Sequence, residues 1–146
     1  MVAQVSKAEL VQRALEVLEA HPEVLEAYLF GSHAREDAGP LSDVDVAVYV
    51  EPAVLARPGF GIDAELSSEL QATLGRSDVD VALLNRASPL LYHRVLRDGV
   101  RILSRLETAT TTREGYALSR YCDYLPQLRK IEALHQARIE AGRFGR

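Results

Sequence analysis

Apolar and polar residues alternate over Asp43–Val50, which places Val44, Val46, Val48 and Val50 on one face of an extended strand. Asp43 and Asp45 fall on the opposite face, about 6–7 Å apart along the strand. The preceding elements follow from the same kind of pattern. Ser6-Lys7-Ala8-Glu9 forms a capping box, with Ser6 as N-cap and Glu9 reaching back. It opens a helix to about Ala20 whose apolar stripe is Leu10, Val11, Ala14, Leu15, Val17 and Leu18. The apolar run Val24 to Phe30 predicts a first strand, ending directly at Gly31-Ser32. Glu36 to Ser42 is polar, contains Gly39-Pro40 and predicts a loop.

Downstream, Pro52, Pro58, Gly59 and Gly61 mark a crossing loop to a helix over about Ile62–Leu74, closed by Gly75. Asp78–Leu84 alternates again and predicts a third strand. Ser88-Pro89 is an N-cap and N1 pair. The helix it opens runs to Asp98, with Gly99 as its stop, and Val100 to Leu103 predicts a fourth strand. From Thr110 to about Ala141 the pattern is helical, and Pro126 is expected to kink or divide it. The expected fold class is therefore α/β (or α+β): a small mixed β-sheet of about four strands flanked by helices, with a long C-terminal helical tail.

Composition narrows the function. A chain of 146 residues, 47% hydrophobic and 26% charged, suits one soluble domain with a core. No apolar run reaches membrane-spanning length, the start lacks a signal-peptide pattern, and a single Cys122 excludes an internal disulfide; together these predict a cytoplasmic protein. The net charge of −4 argues against a dedicated nucleic-acid binder. The charge is unevenly spread. Residues 1–107 hold 10 basic and 17 acidic residues, whereas residues 108–146 hold 7 and 4. That division sets a body over 1–107 apart from a helical extension over 108–146, packed on the body or on a partner.

The chemistry lies in the aspartates. Two carboxylates on one strand face repel each other unless a cation lies between them, and the oxygen donors suit a hard divalent ion such as Mg²⁺. Metal-assisted phosphoryl transfer clamps the reacting oxygens between two metals ~3.5–4 Å apart, and a third carboxylate completes such a site. Asp80, lying between Val79 and Val81, is favoured for this over Asp78, which sits at the strand's start beside Ser77. At the end of the first strand, Gly31 permits close backbone approach, the Ser32 hydroxyl can hold phosphate oxygens, and Arg35 can neutralise another. His21, His93 and His135 lie apart, without metal-ligand spacing among themselves.

Gly31-Ser32, ten intervening residues and Asp43-Val44-Asp45 resemble the GS-x10-DxD signature of the DNA polymerase β-like nucleotidyltransferase superfamily. Gly-Ser-His-Ala-Arg at residues 31–35 is similar to the form found in its minimal nucleotidyltransferases. The segments Val79–Leu84, Pro89-Leu90-Leu91 and Arg97–Leu103 resemble that family's third-aspartate strand and closing helix-strand. Tyr121–Leu125 resembles the C-terminal helix of MntA antitoxins, which pair with HEPN-domain RNase toxins. The resemblance implies the polymerase β-like nucleotidyltransferase fold and AMP transfer from Mg-ATP, with two Mg²⁺ as cofactors and ATP as substrate. It implies a catalytic and metal-binding set of Asp43, Asp45 and Asp80, and a nucleotide-binding set of Gly31, Ser32 and Arg35. For the antitoxin branch it implies AMPylation of a tyrosine on a HEPN-domain toxin partner, held in a hetero-oligomer, with neither membrane nor nucleic acid engaged. Glu36 stands where the family usually keeps Gly.

Two other functions fit parts of the sequence. One is a non-catalytic antitoxin that neutralises by stoichiometric contact. Its motive is Glu36 and the long tail, whose Leu118, Tyr121, Leu125, Leu128, Ile131 and Leu134 recur at helical spacing. A segment of ~30 helical residues spans about 45 Å, more than four short strands need. Its part beyond Pro126 is therefore expected to meet another chain, with Arg129, Lys130 and Arg138 steering an acidic surface. The other is a small-molecule (antibiotic) nucleotidyltransferase, which the ~40 residues beyond the body would have to enclose.

Overall fold

The computed structural model describes residues 6–31, 43–57, 59 and 61–144. The chain order is α1 (Lys7–Glu19), β1 (Val24–Phe30), β2 (Val44–Val50), α2 (Ile62–Leu74), β3 (Val79–Leu83), α3 (Pro89–Asp98), β4 (Val100–Ser104) and α4 (Glu107–Phe144). Short 3-10 turns at Pro52–Ala56 and Leu84–Arg86 follow β2 and β3. The four strands form one mixed sheet in the order β3-β2-β1-β4. β1 runs antiparallel to both β2 and β4, and β2 runs parallel to β3. The parallel pair needs a crossover, which α2 provides.

Alternation decides which residues meet which layer. Val44, Val46, Val48 and Val50 are fully buried and join Leu10, Leu18, Leu66 and Leu70 in a core beneath α1 and α2. Tyr28 and Ala47 point to the other face and pack with Tyr92, Val95 and Ala117 of α3 and α4. The helices are stopped and started by local chemistry. Ser6 Oγ accepts from the Glu9 N–H at 3.2 Å, but the Glu9 carboxylate turns to Arg13 (2.7 Å) instead of reaching back. Ser88 Oγ accepts from the Leu91 N–H at 3.1 Å, and Gly75 ends α2 in the left-handed region.

Three expectations change. Gly99 has φ −84°, an ordinary extended value, so it is not a left-handed stop. Its value is space: a Cβ there would lie 2.3 Å from the Val95 carbonyl oxygen and 3.1 Å from that of Leu29. Pro126 does not divide the tail, since α4 is one helix from Glu107 to Phe144. Pro126 and Cys122 are both exposed, so water can satisfy the carbonyl that proline leaves without an N–H partner. The side of α4 against the sheet is also shifted. Thr110 and Ala117 are buried, whereas Leu118 is 45% exposed. Beyond Leu128 every residue through Gly142 is exposed, including Ile131, Leu134 and Ile139.

Candidate active site

The aspartates are brought together by strand register. Asp45 of β2 pairs with Asp80 of β3 across the parallel ladder, which sets their Cα atoms about 4.8 Å apart. Both lie on the α3/α4 face of the sheet, because Val44, Val46, Val79 and Val81 take the other. Asp43 sits just before β2 on the same side as Asp45, and the N–H of Val44 between them is held by the Asp78 carbonyl at 2.9 Å. Asp43 and Asp80 are exposed and Asp45 is half-buried. Asp80 lies within β3, the edge strand of the sheet, whereas Asp78 precedes it, and the Asp80 side chain is exposed.

Gly31 closes the group from the far side. Phe30 pairs with Asp45 across the antiparallel ladder, and Gly31 follows with φ +80°. A Cβ at Gly31 would fall 2.5 Å from Asp45 Oδ2. Glycine is therefore needed twice, for its backbone angle and for its missing side chain. Ser32 and Arg35, assigned to the triphosphate by resemblance, lie outside the described residues, as does Glu36.

Asp78 belongs to a different pairing. Its carboxylate accepts from Arg76 Nε at 2.5 Å and from Arg76 Nη2 at 2.6 Å. This raises the Arg76 pKa, chiefly through the hydrogen bond to Asp78, with the charge of Asp43 adding to it. Arg76 is thus a cation whose charge is felt by the aspartate cluster through Asp43, a neighbour that its loop position beside Gly75 did not announce. Its signal was a fork-shaped donor two residues before a strand-entry aspartate.

Asp45 and Asp80 stand abreast on neighbouring strands with Asp43 two residues along, and carboxylates at these positions offer oxygen donors, which fit hard divalent cations and not soft ones. Among the described residues, the cavity of about 440 Å³ lies elsewhere, between the turn after β2 and the start of α2. The aspartates instead stand at the exposed edge of the sheet.

A mixed four-stranded sheet with one aspartate just before β2, a second within it, a third on the adjoining strand and a glycine turn beside them is the arrangement expected of a nucleotidyltransferase. The chain belongs to the polymerase β nucleotidyltransferase family, whose sequence model matches residues 12–108. It is 34% identical over 97 residues to a Methanocaldococcus jannaschii protein named for an inferred protein adenylyltransferase activity, covering 65% of this chain and 96% of that one. Its fold is similar to a chain of the Shewanella oneidensis complex between a tri-AMPylated HEPN toxin and its MNT antitoxin. That match has a TM-score of 0.60 at 24% identity and covers 92% of this chain and 96% of the other. A toxin–antitoxin structure containing AMP-PNP aligns with a TM-score of 0.59 at 23% identity, over 89% and 95% of the two chains. The chain thus shares its fold, over most of its length, with chains of these toxin–antitoxin complexes.

Proposed function

We propose that this nucleotidyltransferase is an antitoxin that transfers AMP from ATP to a tyrosine of a HEPN-domain RNase partner and silences it. The observation that carries this reading is the side-by-side placement of Asp45 and Asp80, with Asp43 one pleat along and Gly31 opposite. In this reading Asp43, Asp45 and Asp80 are the residues that would hold two Mg²⁺ ions. Bound there, the divalent ions supply charge neutralisation for the triphosphate and the leaving pyrophosphate.

The side chains set the rest. Gly31 gives room for the nucleotide beside Asp45, while Ser32 and Arg35 are assigned to the phosphate oxygens. Asp80, on the open edge, faces the incoming phenol and accepts its proton. The phenolic oxygen forms a bond to the α-phosphorus as the bond from that phosphorus to the bridging oxygen breaks. AMP stays on the tyrosine and pyrophosphate departs. An exposed Asp80 suits this, because a protein substrate must present its tyrosine at the surface and cannot enter a deep pocket.

The test is incubation of the full-length chain with labelled ATP, Mg²⁺ and its HEPN partner. Label on the partner, lost in Asp43→Ala/Asp45→Ala, supports transfer; an unlabelled partner, or label unchanged in that variant, sinks it. A second reading, neutralisation by contact alone, draws on the exposed Ile131, Leu134 and Ile139 of α4. Truncation after Leu125 separates the two. Neutralisation that survives loss of the aspartates but not of the tail favours contact.

A further inference from the structure

The end of the sheet opposite the aspartates carries a second cluster of metal-ligand side chains. Val24 pairs with Val50 at that end and Phe30 with Asp45 at the other, so a seven-residue strand, about 20 Å, separates them. His21 lies in the turn between α1 and β1. Its Nδ1 is 3.0 Å from Glu23 Oε1 and its Nε2 is 2.5 Å from Glu69 Oε2. Glu65 lies one turn before Glu69 on α2, on the same side of the helix. One ligand atom from each of His21, Glu65 and Glu69 falls within 4.8 Å of the others.

We propose that His21, Glu65 and Glu69 bind a divalent transition-metal ion of the zinc class, separate from the nucleotidyl-transfer centre.

Four features of the cluster bear on this. The set is one imidazole nitrogen and two carboxylates, which suits zinc, whereas an all-oxygen set suits magnesium. Glu23 engages Nδ1, the arrangement that fixes a ligand imidazole's tautomer and directs Nε2 at the metal. The His21 backbone is itself fixed: its N–H donates to the Leu18 carbonyl, and its carbonyl accepts from the Val24 N–H and from Arg105 Nη2 at 3.0 Å each. Glu65 also lines the cavity of about 440 Å³, beside Arg57 and Ile62, which leaves room for a fourth ligand such as water or a small anion. Binding exchanges the proton on Nε2, shared with Glu69, for the metal, and that proton passes to solvent. Tetrahedral bonds of ~2.1 Å set ligand atoms about 3.4 Å apart; the His21–Glu69 pair opens to that spacing from 2.5 Å and Glu65 settles to it from within 4.8 Å, a step that two glutamate side chains on an exposed helix face can make by rotation.

The experiment is calorimetric titration of the chelator-treated full-length chain with Zn²⁺, in saturating Mg²⁺ so that the aspartates are filled. One Zn²⁺ at micromolar affinity or tighter is expected, with an X-ray absorption spectrum showing one imidazole nitrogen among oxygen ligands. Glu65→Gln/Glu69→Gln and, separately, His21→Gln abolish this binding, and Glu23→Gln weakens it ~10–100-fold. The glutamines keep the shape of an exposed helix face, and circular dichroism confirms the fold. Zn²⁺ binding that is absent in the native chain, or equal in the glutamine variants, overturns the proposal.

Discussion

The Arg113 guanidinium of α4 forms an ion pair with Glu26 of β1, whose side chain is wholly buried, and stacks 4.5 Å from the ring centre of Tyr49. This pair joins the tail helix to the centre of the sheet. Burial pushes the Glu26 pKa up, and the hydrogen bond from Arg113 opposes that without cancelling it. Arg113→Ala leaves a buried charge alone and is expected to cost about 3–5 kcal/mol in urea unfolding. A double replacement by leucine should recover much of that loss. The pH dependence has a definite sign. A folded pKa above the ordinary 4.5 gives stability that is full below that value and falls as pH rises through the folded pKa. Unfolding free energies between pH 4 and 7 should therefore show a declining contribution that Glu26→Gln removes.

Arg105 holds a second joint. Its guanidinium donates to the carbonyls of Leu18, Glu19, His21 and Val24 at 3.0–3.1 Å, covering the open C-terminus of α1 and the start of β1. Cations at a helix C-terminus gain from the dipole as well. Arg105→Ala should lower stability by about 2 kcal/mol, read as a fall of roughly 4–8 °C in the thermal midpoint. Arg105→Lys should fail to restore it, because a single ammonium cannot span four acceptors.

These two arginines show where sequence reading stopped. The strands and helix limits followed from residues that act on near neighbours: alternating valines, Ser88-Pro89, Gly75. The aspartates of β2 were visible because a strand fixes which residues share a face. Arg105 meets residues 81–87 positions away, and His21 meets Glu69 at 48, distances at which no periodicity survives. Glu26 sits in an apolar run and looked like an ordinary strand residue. Only a partner on α4 makes its burial tolerable, and that partner is 87 positions distant. The tail misled for a different reason. Its apolar residues repeat at helical spacing on more than one side, so Leu118 and Ala117 competed for the core, and the smaller residue fits the closer approach.

Gly31 tests the geometry of the aspartate site without touching any charge. Gly31→Ala places a methyl 2.5 Å from Asp45 Oδ2, on a backbone at φ +80° that alanine resists. Asp45 must swing away by about an ångström, and displacement on that scale costs on the order of 10²-fold in rate. Single-turnover AMP transfer to the partner should fall by that factor, while circular dichroism and partner binding stay as in the native chain. A variant with native transfer would remove Gly31 from the account of the site.

Asp78 and Asp80 lie two residues apart and should part company when each is neutralised. Asp78 is committed to the Arg76 fork, at 2.5 and 2.6 Å, in a half-exposed setting. Asp78→Asn should therefore lower stability by about 1 kcal/mol or less, a surface-pair value, and leave most transfer activity in place. Asp80 is exposed and stands abreast of Asp45. Asp80→Asn removes a proton acceptor and a metal ligand while changing the surface little. Transfer should drop at least ~10²-fold with no loss of thermal stability. Were Asp78→Asn instead the inactive variant, the third carboxylate would belong at the strand's entry beside Arg76, and Asp80 would be an ordinary solvated edge residue.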